Sequence, residues 1–498
     1  MKNIILKLFL FIFLYSLSNS TFSQYCLEEN ETFTTQEQID SFVILYPDCT
    51  ETEYSITIWG ENITNLNGLN KLIGIGGTLE IKYCPSLNEI SGLDKLQHIE
   101  QDLKIQYNEA LEDINGFNNL TYIGGINLTI NSNPKLSNIS GFNNFEQGVL
   151  NINVTANPLL TDIAGFNKLL SLNNEGDNFT TGTINLLNNE NLKSINGFSN
   201  LTSIDNSLNI EANGFKELPI TFNKIKNIGR NIEISKNNEL ETISGFDSLL
   251  HLNGYFKVSS CEQLKSCNFK AKTDSIFGYI QFVTCPVLDT IEGFDNLKYV
   301  QNDIQFFSLD SLNSVSGFNN LNTIGGSLNF NSNNKLKEIT GFSNIDTIFT
   351  DLTLSRNKSL SHPFKTSHLK YINGNLTISY NDSIINLSGL NLLNTLNGTL
   401  EISVNKSINT FDGLQSLKEI NNEIIISTNK KLIDISAIGN INPANVKSLT
   451  IYLNSSLSDC SLDPICTILN EYSIPLNISL NKTDCKSVDE IIDNCNST

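Results

Sequence analysis

Cysteine, histidine and carboxylate side chains are where this chain could do chemistry, and their positions narrow what that chemistry is. Ten cysteines are present. Cys26 and Cys49 stand near the beginning, and Cys460, Cys466, Cys485 and Cys495 near the end. An even number at each end fits disulfide-closed caps in an oxidising compartment, with the pairing left open. Cys84, Cys261 and Cys285 share one position of a long internal repeat, where a small buried thiol fits, and Cys267 reads as a turn residue. Cys261 and Cys285 would stack about 5 Å apart on neighbouring coils, so two idle thiols and a bridge are both compatible with the spacing. His98, His251, His362 and His368 never fall beside cysteines at ligand spacing, so neither a metal nor a cofactor is expected.

Catalytic signatures are missing from the sequence in the same way. It contains no Gly-x-Ser-x-Gly elbow, His-Glu-x-x-His pair, phosphate-binding glycine loop or calcium loop. The acids are numerous but scattered. Carboxylates distant in sequence could still meet across coils, which keeps a β-helix enzyme acting on polysaccharide as an alternative to a non-catalytic protein. With 32 basic and 52 acidic residues the net charge is −20, and arginine occurs only as Arg230 and Arg356. That balance argues against a nucleic-acid partner and against phosphate ligands.

The first residues, MKNIILKLFLFIFLYSLSNSTFSQ, place Lys2 and Lys7 around an apolar run and close on small polar residues, the pattern of a secretory signal peptide over 1–24. Removing it leaves 30 basic against 52 acidic residues, a charge of −22. No later stretch is long and apolar enough to span a bilayer. The expected product is a soluble, exported chain in the cell exterior or at its surface, with a cap over 25–54, a repeat array over 55–458 and a cysteine-containing cap over 459–498.

The elements that would position any site follow from one column of residues. Asn189, Asn213, Asn237, Cys261, Cys285, Leu309, Asn333, Asn357, Asn381, Asn405 and Asn429 are spaced 24 apart without exception. Cys84, Asn108, Asn133 and Asn157 precede them with one-residue slips and one larger insertion, and Asn454 follows. Sixteen coils of a single elongated solenoid are implied. Within a coil such as 116–140, Leu128 and Ile130 alternate with Asn127, Thr129 and Asn131, which is strand periodicity with one face in and one out. Asparagine both donates and accepts, so stacked copies can satisfy backbone groups where strands end. Glycine before Phe or Leu is expected to supply a backbone conformation costly for other residues. Thr221-Phe222 and Pro363-Phe364 depart from that pattern. The segments between spine and next strand are rich in Ile, Asn, Ser, Thr and Gly, which disfavours helix there beyond short 3₁₀ pieces.

These coils resemble the leucine-rich, β-helix-like repeat of receptor L domains, and similar arrays of secreted bacterial surface proteins. The likeness is carried by LNGLNKLIGIGGTLEI (66–81), INGFNNLTYIGGINLTI (114–130) and VSGFNNLNTIGGSLNF (315–330), and it runs from about 55 to 458. The opening CLEENETFTTQEQIDSFVILYPDCTE is similar to the cap that precedes such arrays. The resemblance implies an all-β, right-handed parallel solenoid that binds protein or carbohydrate, by adhesion or recognition, at the cell exterior. Relatives often add a C-terminal sorting or anchoring module, whereas this chain stops at Thr498 just past the second cap, so whether it is attached to a surface is left open.

An outward stripe then follows from strand alternation: Glu80, Lys82, Lys104, Gln106, Thr129, Asn131, Asn153, Thr155, Asn209, Glu211, Glu233 and Ser235. Near its middle it changes to Lys257, Ser259, Gln281, Val283, Gln305 and Phe307. An outward aromatic beside amides can hold a sugar ring or a protein side chain, which makes Lys257, Gln281, Val283, Gln305 and Phe307 the candidate ligand surface. The insertion SLNNEGDNFTTGT (171–183), which stretches one spine interval to 32 residues, is a second candidate. A binding protein is the leading expectation; a polysaccharide-active enzyme and a purely structural surface component are the alternatives.

Overall fold

The computed structural model describes residues 26–148, 151–172, 181–364 and 368–497. The signal segment 1–24 and residues 173–180 of the insertion lie outside the described residues. What is described is an all-parallel β-solenoid of about 18 turns with few helices. The sequence reading of sixteen coils is close to this; the strands beyond it lie toward the ends, where Glu31–Phe33 pairs with Ile56–Ile58 and Leu476–Ser479 pairs with Ser448–Tyr452. Neither end carries a spine asparagine at the regular 24-residue interval. The chain divides into two compact units, Met1–Asn157 with Ala164–Lys168, and Pro158–Ile163 with Leu169–Thr498. The division falls where one spine interval lengthens to 32 residues.

In the first unit, the strands Leu79–Lys82, Leu103–Gln106, Asn127–Asn131 and Asn151–Thr155 lie side by side in parallel register, Leu79 against Leu103, Leu103 against Leu128 and Leu128 against Ile152. A second face is a narrow sheet running from Glu51–Thr52 to Tyr122–Ile123. Leu128 and Ile130 are buried as their alternation requires. Phe117, Phe142 and Phe166 stack in the interior with ring centroids 5.2 and 4.8 Å apart, close to the inter-strand spacing of about 4.8 Å that identical positions on successive rungs inherit. The cap carries the helix Gln36–Leu45, started by a reciprocal pair in which Thr35 Oγ1 accepts from the Gln38 N–H and Gln38 Oε1 accepts from the Thr35 N–H. A Cys26–Cys49 disulfide closes it.

The second unit repeats the plan over more turns. Leu328, Leu352, Leu376 and Leu400 follow one another in register on the broad sheet. A narrow sheet of two-residue strands runs from Ser171–Leu172 to Glu419–Ile420, and a third short face joins Thr242–Gly245 to Glu338–Ile339. Phe294, Phe318 and Phe342 form one interior stack at 4.6 and 4.8 Å, and Phe282, Phe306 and Phe330 another at 5.9 and 4.6 Å. Among the described residues of this unit only 3₁₀ pieces appear between coils, such as Ile220–Lys224, while α-helices are confined to the closing cap at Asp463–Glu471 and Val488–Ser497. Cys460–Cys485 and Cys466–Cys495 bridge that cap.

From Leu79–Lys82 onward the broad-sheet strands end in a left-handed corner, and the corner explains the spine. The residue before the spine position has positive φ at Tyr83, Tyr107, Ser132 and Ala156 in the first unit. In the second it does so from Asn188 through Arg356 (57°), Tyr380 (57°) and Val404 (58°) to Leu480. For a residue with a Cβ this conformation costs of order 1–2 kcal/mol. It aims the next backbone N–H inward, where no strand can receive it. The spine amide of the following coil receives it instead: the Asn333 N–H donates to Asn357 Oδ1 at 3.1 Å, Asn357 to Asn381 at 2.9 Å and Asn381 to Asn405 at 3.1 Å. The same amide's Nδ2 donates to a strand carbonyl of the coil before, Asn357 to Phe330 O at 2.9 Å and Asn381 to Leu354 O at 2.8 Å. In the first unit Asn108 and Asn133 do the same toward Ile81 O and Ile105 O. An amide is the short side chain that both donates and accepts, and here both roles are used at once.

Glycine's role is more divided than the sequence implies. Gly317 does take positive φ (89°), but at Phe142, Phe166 and Phe198 it is the phenylalanine that turns left-handed, and at Gly245-Phe246 both residues do. At Gly116 the requirement is room, since a Cβ would collide with the Ile90 carbonyl. Phe222 and Phe364, the two positions preceded by Thr and Pro, take no positive φ. Cys267 is corrected as well: it is a buried strand residue of Ser266–Phe269, set inward by alternation, and not a turn residue.

The spine cysteines are free and buried, so the structure holds thiols at Cys261 and Cys285 and no bridge. They imitate the amide. Cys84 Sγ lies 3.7 Å from Ile58 O, the carbonyl an asparagine would reach, and the Gly60 N–H points at its sulfur. Burial pushes the Cys84 thiol up to about 11 against that donor's opposing effect. The hydrogen bond to Cys285, and then burial, raise Cys261, and burial raises Cys267. We expect Asn357→Ala to strip a buried acceptor from the Asn333 N–H and a donor from Phe330 O, at about 1–3 kcal/mol for each group left unpaired, and Asn357→Cys to cost less. Urea unfolding of the full chain reads this, and equal midpoints for the alanine variant and the unaltered chain would contradict the ladder's role. For the thiols, an aromatic disulfide reagent at pH 8 should leave Cys84, Cys261, Cys267 and Cys285 unlabelled in the native chain and label all four once unfolded; rapid native labelling would show that their burial is not maintained.

Candidate functional site

The outward side of the broad sheet in the second unit carries the candidate surface, and strand register fixes its rows. Glu233, Lys257, Gln281, Gln305 and Asn329 are successive partners in one row. Ser235, Ser259, Val283, Phe307 and Asn331 are successive partners in the next. Lys257, Gln281, Val283, Gln305 and Phe307 therefore sit together on three adjacent rungs, all half-buried, while Val258, Phe282, Ile304 and Phe306 point into the core. A charged and amide row thus lies directly beside a row holding the apolar pair Val283 and Phe307.

The polar row is internally wired. Glu233 accepts from Lys257 Nζ at 2.8 Å and from Tyr255 Oη at 2.9 Å. Gln281 Nε2 donates to Gln305 Oε1 at 2.6 Å, and Gln305 Nε2 donates to Asp303 Oδ2 at 2.9 Å. Tyr255 and Tyr279 flank the row with rings stacked 4.5 Å apart. Burial, then the bond to Glu233, raise the Tyr255 hydroxyl above the ordinary tyrosine value, so it stays a donor. Side chains held in this way keep one orientation before anything binds, which lowers the entropy that binding must spend. On the side of the lower-numbered rungs a cleft of about 250 Å³ continues the face, lined by Asn185, Asn209, Glu211, Glu233 and Tyr255. Its acids are both ion-paired, Glu211 with Lys236 and Glu233 with Lys257, each at 2.8 Å.

Ser235 is the one member of the outward stripe that must be corrected, since it is 5 % exposed. Ser355, Ser379 and Ser403 continue the same row and are buried too, with Ser379 Oγ donating to Ser355 Oγ at 3.1 Å. Among the described residues no His, Cys, Asp and Glu side chains gather in a group suited to a metal ion. No helix among them is long and apolar enough to cross a membrane.

The sequence reading missed two features. Asn481 ends the spine by accepting from the Asn454 N–H at 2.9 Å; its 27-residue offset hid it from a search at 24. The left-handed corner column, one residue before the spine, also escaped notice although it shares the 24-residue spacing. It brings together the exposed pair Tyr83 and Tyr107, stacked 5.0 Å apart, in the first unit. In the second it sets Arg356 over the Tyr380 ring at 5.0 Å.

No protein-family model matches the chain, and no curated protein matches it. Among solved structures it is similar to a leucine-rich repeat protein from Bacteroides ovatus ATCC 8483, at 16 % identity over 69 % of this chain and 82 % of that one, with a TM-score of 0.27. So low a score carries no argument about function. The repeat solenoid is established by the strand register and the asparagine ladder themselves.

Proposed function

We propose that this chain is a non-catalytic recognition protein of the cell exterior, related to the L-domain-like arrays of bacterial surface proteins, that binds protein or carbohydrate through the outward face of its broad sheet. One observation carries the reading: register places Lys257, Gln281 and Gln305 in a hydrogen-bonded row beside Val283 and Phe307 on the same three rungs. Amides next to an apolar and aromatic strip offer both directional bonds and a surface for C–H groups, the combination that sugars and peptide side chains require. Paired cysteines at both ends support an oxidising, extracellular setting. The pairing of Glu211 and Glu233 with lysines favours binding over hydrolysis, because a glycosidase needs one carboxyl kept protonated and another free to attack.

The test is an array of glycans and surface proteins probed with the full chain. Phe307→Ala and Gln281→Ala should each weaken the captured ligand about tenfold or more, while an exposed change on another face, such as Lys335→Ala, leaves binding intact. Undiminished binding by both variants would remove this face as the site, and turnover of a bound polysaccharide would replace the reading with the enzymatic one.

A further inference from the structure

Of four clefts among the described residues of the second unit, one differs from the other three in charge. The clefts lined by Glu292 and Asp295, by Glu190, Glu217 and Glu239, and by Glu211 and Glu233 are acidic or mixed, as a chain of net charge −20 would suggest. The fourth, about 390 Å³, is lined by Arg356, Lys358, Tyr380, Asp382 and Lys406 among others, three cations against one carboxylate. Asp382 is already engaged with Lys406 Nζ at 2.8 Å, which leaves Arg356 and Lys358 as surplus positive charge, both exposed. It lies at the spine corner of the coil, away from the outward rows of the proposed binding face.

The repeat explains how this cleft arises. Arg356 and Tyr380 occupy the left-handed position one residue before the spine on adjacent rungs, and Lys358, Asp382 and Lys406 occupy the position one residue after it on three successive rungs. Lys430 holds the same position one rung further on, and it too is exposed. Lys358 and Lys406, the latter shared with Asp382 on the rung between, are therefore two rungs apart, about 10 Å at the usual strand spacing. Cations set at that interval along a straight column do not surround one small anion. They match an extended chain that carries negative charge at regular intervals. The Arg356 guanidinium lies 5.0 Å from the Tyr380 ring centre, which steadies its planar fork, the group best shaped for carboxylate and sulfate oxygens. Tyr380 itself is 47 % exposed and adds an apolar ring beside the cations, a feature that sugar C–H groups use and a bare polyanion does not. At about 0.15 M salt the Debye length is roughly 8 Å, so acids elsewhere on the chain are screened and the cleft's own cations set the local potential.

We infer that the cleft formed by Arg356, Lys358, Tyr380 and Lys406 is a second binding site, for the acidic units of an anionic polysaccharide. Carboxylate and sulfate present the same oxygens to these groups, so the test carries one probe of each. Titration calorimetry with the full chain would use tetragalacturonate, a sulfated chondroitin tetrasaccharide, neutral cellotetraose and a single-stranded tetranucleotide. The expected result is binding of at least one acidic tetrasaccharide, weakened tenfold or more by the double change Arg356→Gln and Lys358→Gln. Tyr380→Ala weakens it as well and Tyr380→Phe does not. Phe307→Ala leaves this binding untouched, which separates the site from the proposed recognition face. Arg356, Lys358 and Tyr380 are exposed, so unchanged thermal unfolding accompanies their variants. The inference is overturned if neither acidic tetrasaccharide binds, if the double variant binds as tightly as the unaltered chain, if cellotetraose binds equally well, or if the tetranucleotide binds as tightly through the same residues.

Discussion

A backbone N–H pointed into an apolar interior must find an acceptor, and the asparagine-bearing coils of this solenoid meet that demand turn after turn. The left-handed residue that closes the broad-sheet strand of such a coil bends the chain sharply enough to begin the next face, and it turns the following N–H inward as it does so. Nothing in the strand pairing can satisfy that group. The spine amide of the next coil does, while its other end binds a strand carbonyl. Rung spacing, inward apolar positions and outward rows are all referred to that fixed point, since a slip of one residue would send every interior side chain to the surface.

Both candidate surfaces are products of this single repeat. Identical coil positions fall above one another, so a residue type chosen at one station becomes a row when it recurs and a boundary when it changes. The switch from Glu233 and Ser235 to Gln281, Val283, Gln305 and Phe307 is such a boundary on the outward face. The switch to Arg356, Lys358 and Lys406 is another at the corner. Neither needs a departure from the scaffold, which is how a rigid array can carry distinct sites side by side.

Much of this was legible in the sequence because periodic features survive without coordinates. The 24-residue spine, the burial of alternate residues such as Leu128 and Ile130, and the outward placement of Gln281 and Phe307 all follow from counting. What escaped lies where counting fails. Asn481 comes after a helix-containing cap that breaks the interval, and the opening helix announces itself only by Thr35-x-x-Gln38, a local signal unrelated to the repeat. Ser235, Ser355, Ser379 and Ser403 are buried at an outward station, which alternation does not record. Left-handed phenylalanines such as Phe142 and Phe166 defy a rule of residue preference that reserves this conformation for glycine. Disulfide pairing, finally, is a matter of proximity in the caps and had no periodic signature to read.

The interruption of the ladder at Cys261, Cys285 and Leu309 has a thermal consequence. Leu309 donates its N–H to Asn333 Oδ1 but has no polar atom to return toward Cys285, and sulfur is a weak partner in the two coils before it. The same coils hold the aromatic cluster of Phe256, Phe269, Phe282 and Phe294, with Phe256 and Phe269 only 4.4 Å apart. Cohesion there leans on apolar burial, whose driving force fades on cooling, while the flanking coils keep their amide bonds. The middle of the second unit is therefore the cold-sensitive segment of the molecule, and amide protons there should lose protection near freezing ahead of those around Asn357 and Asn381.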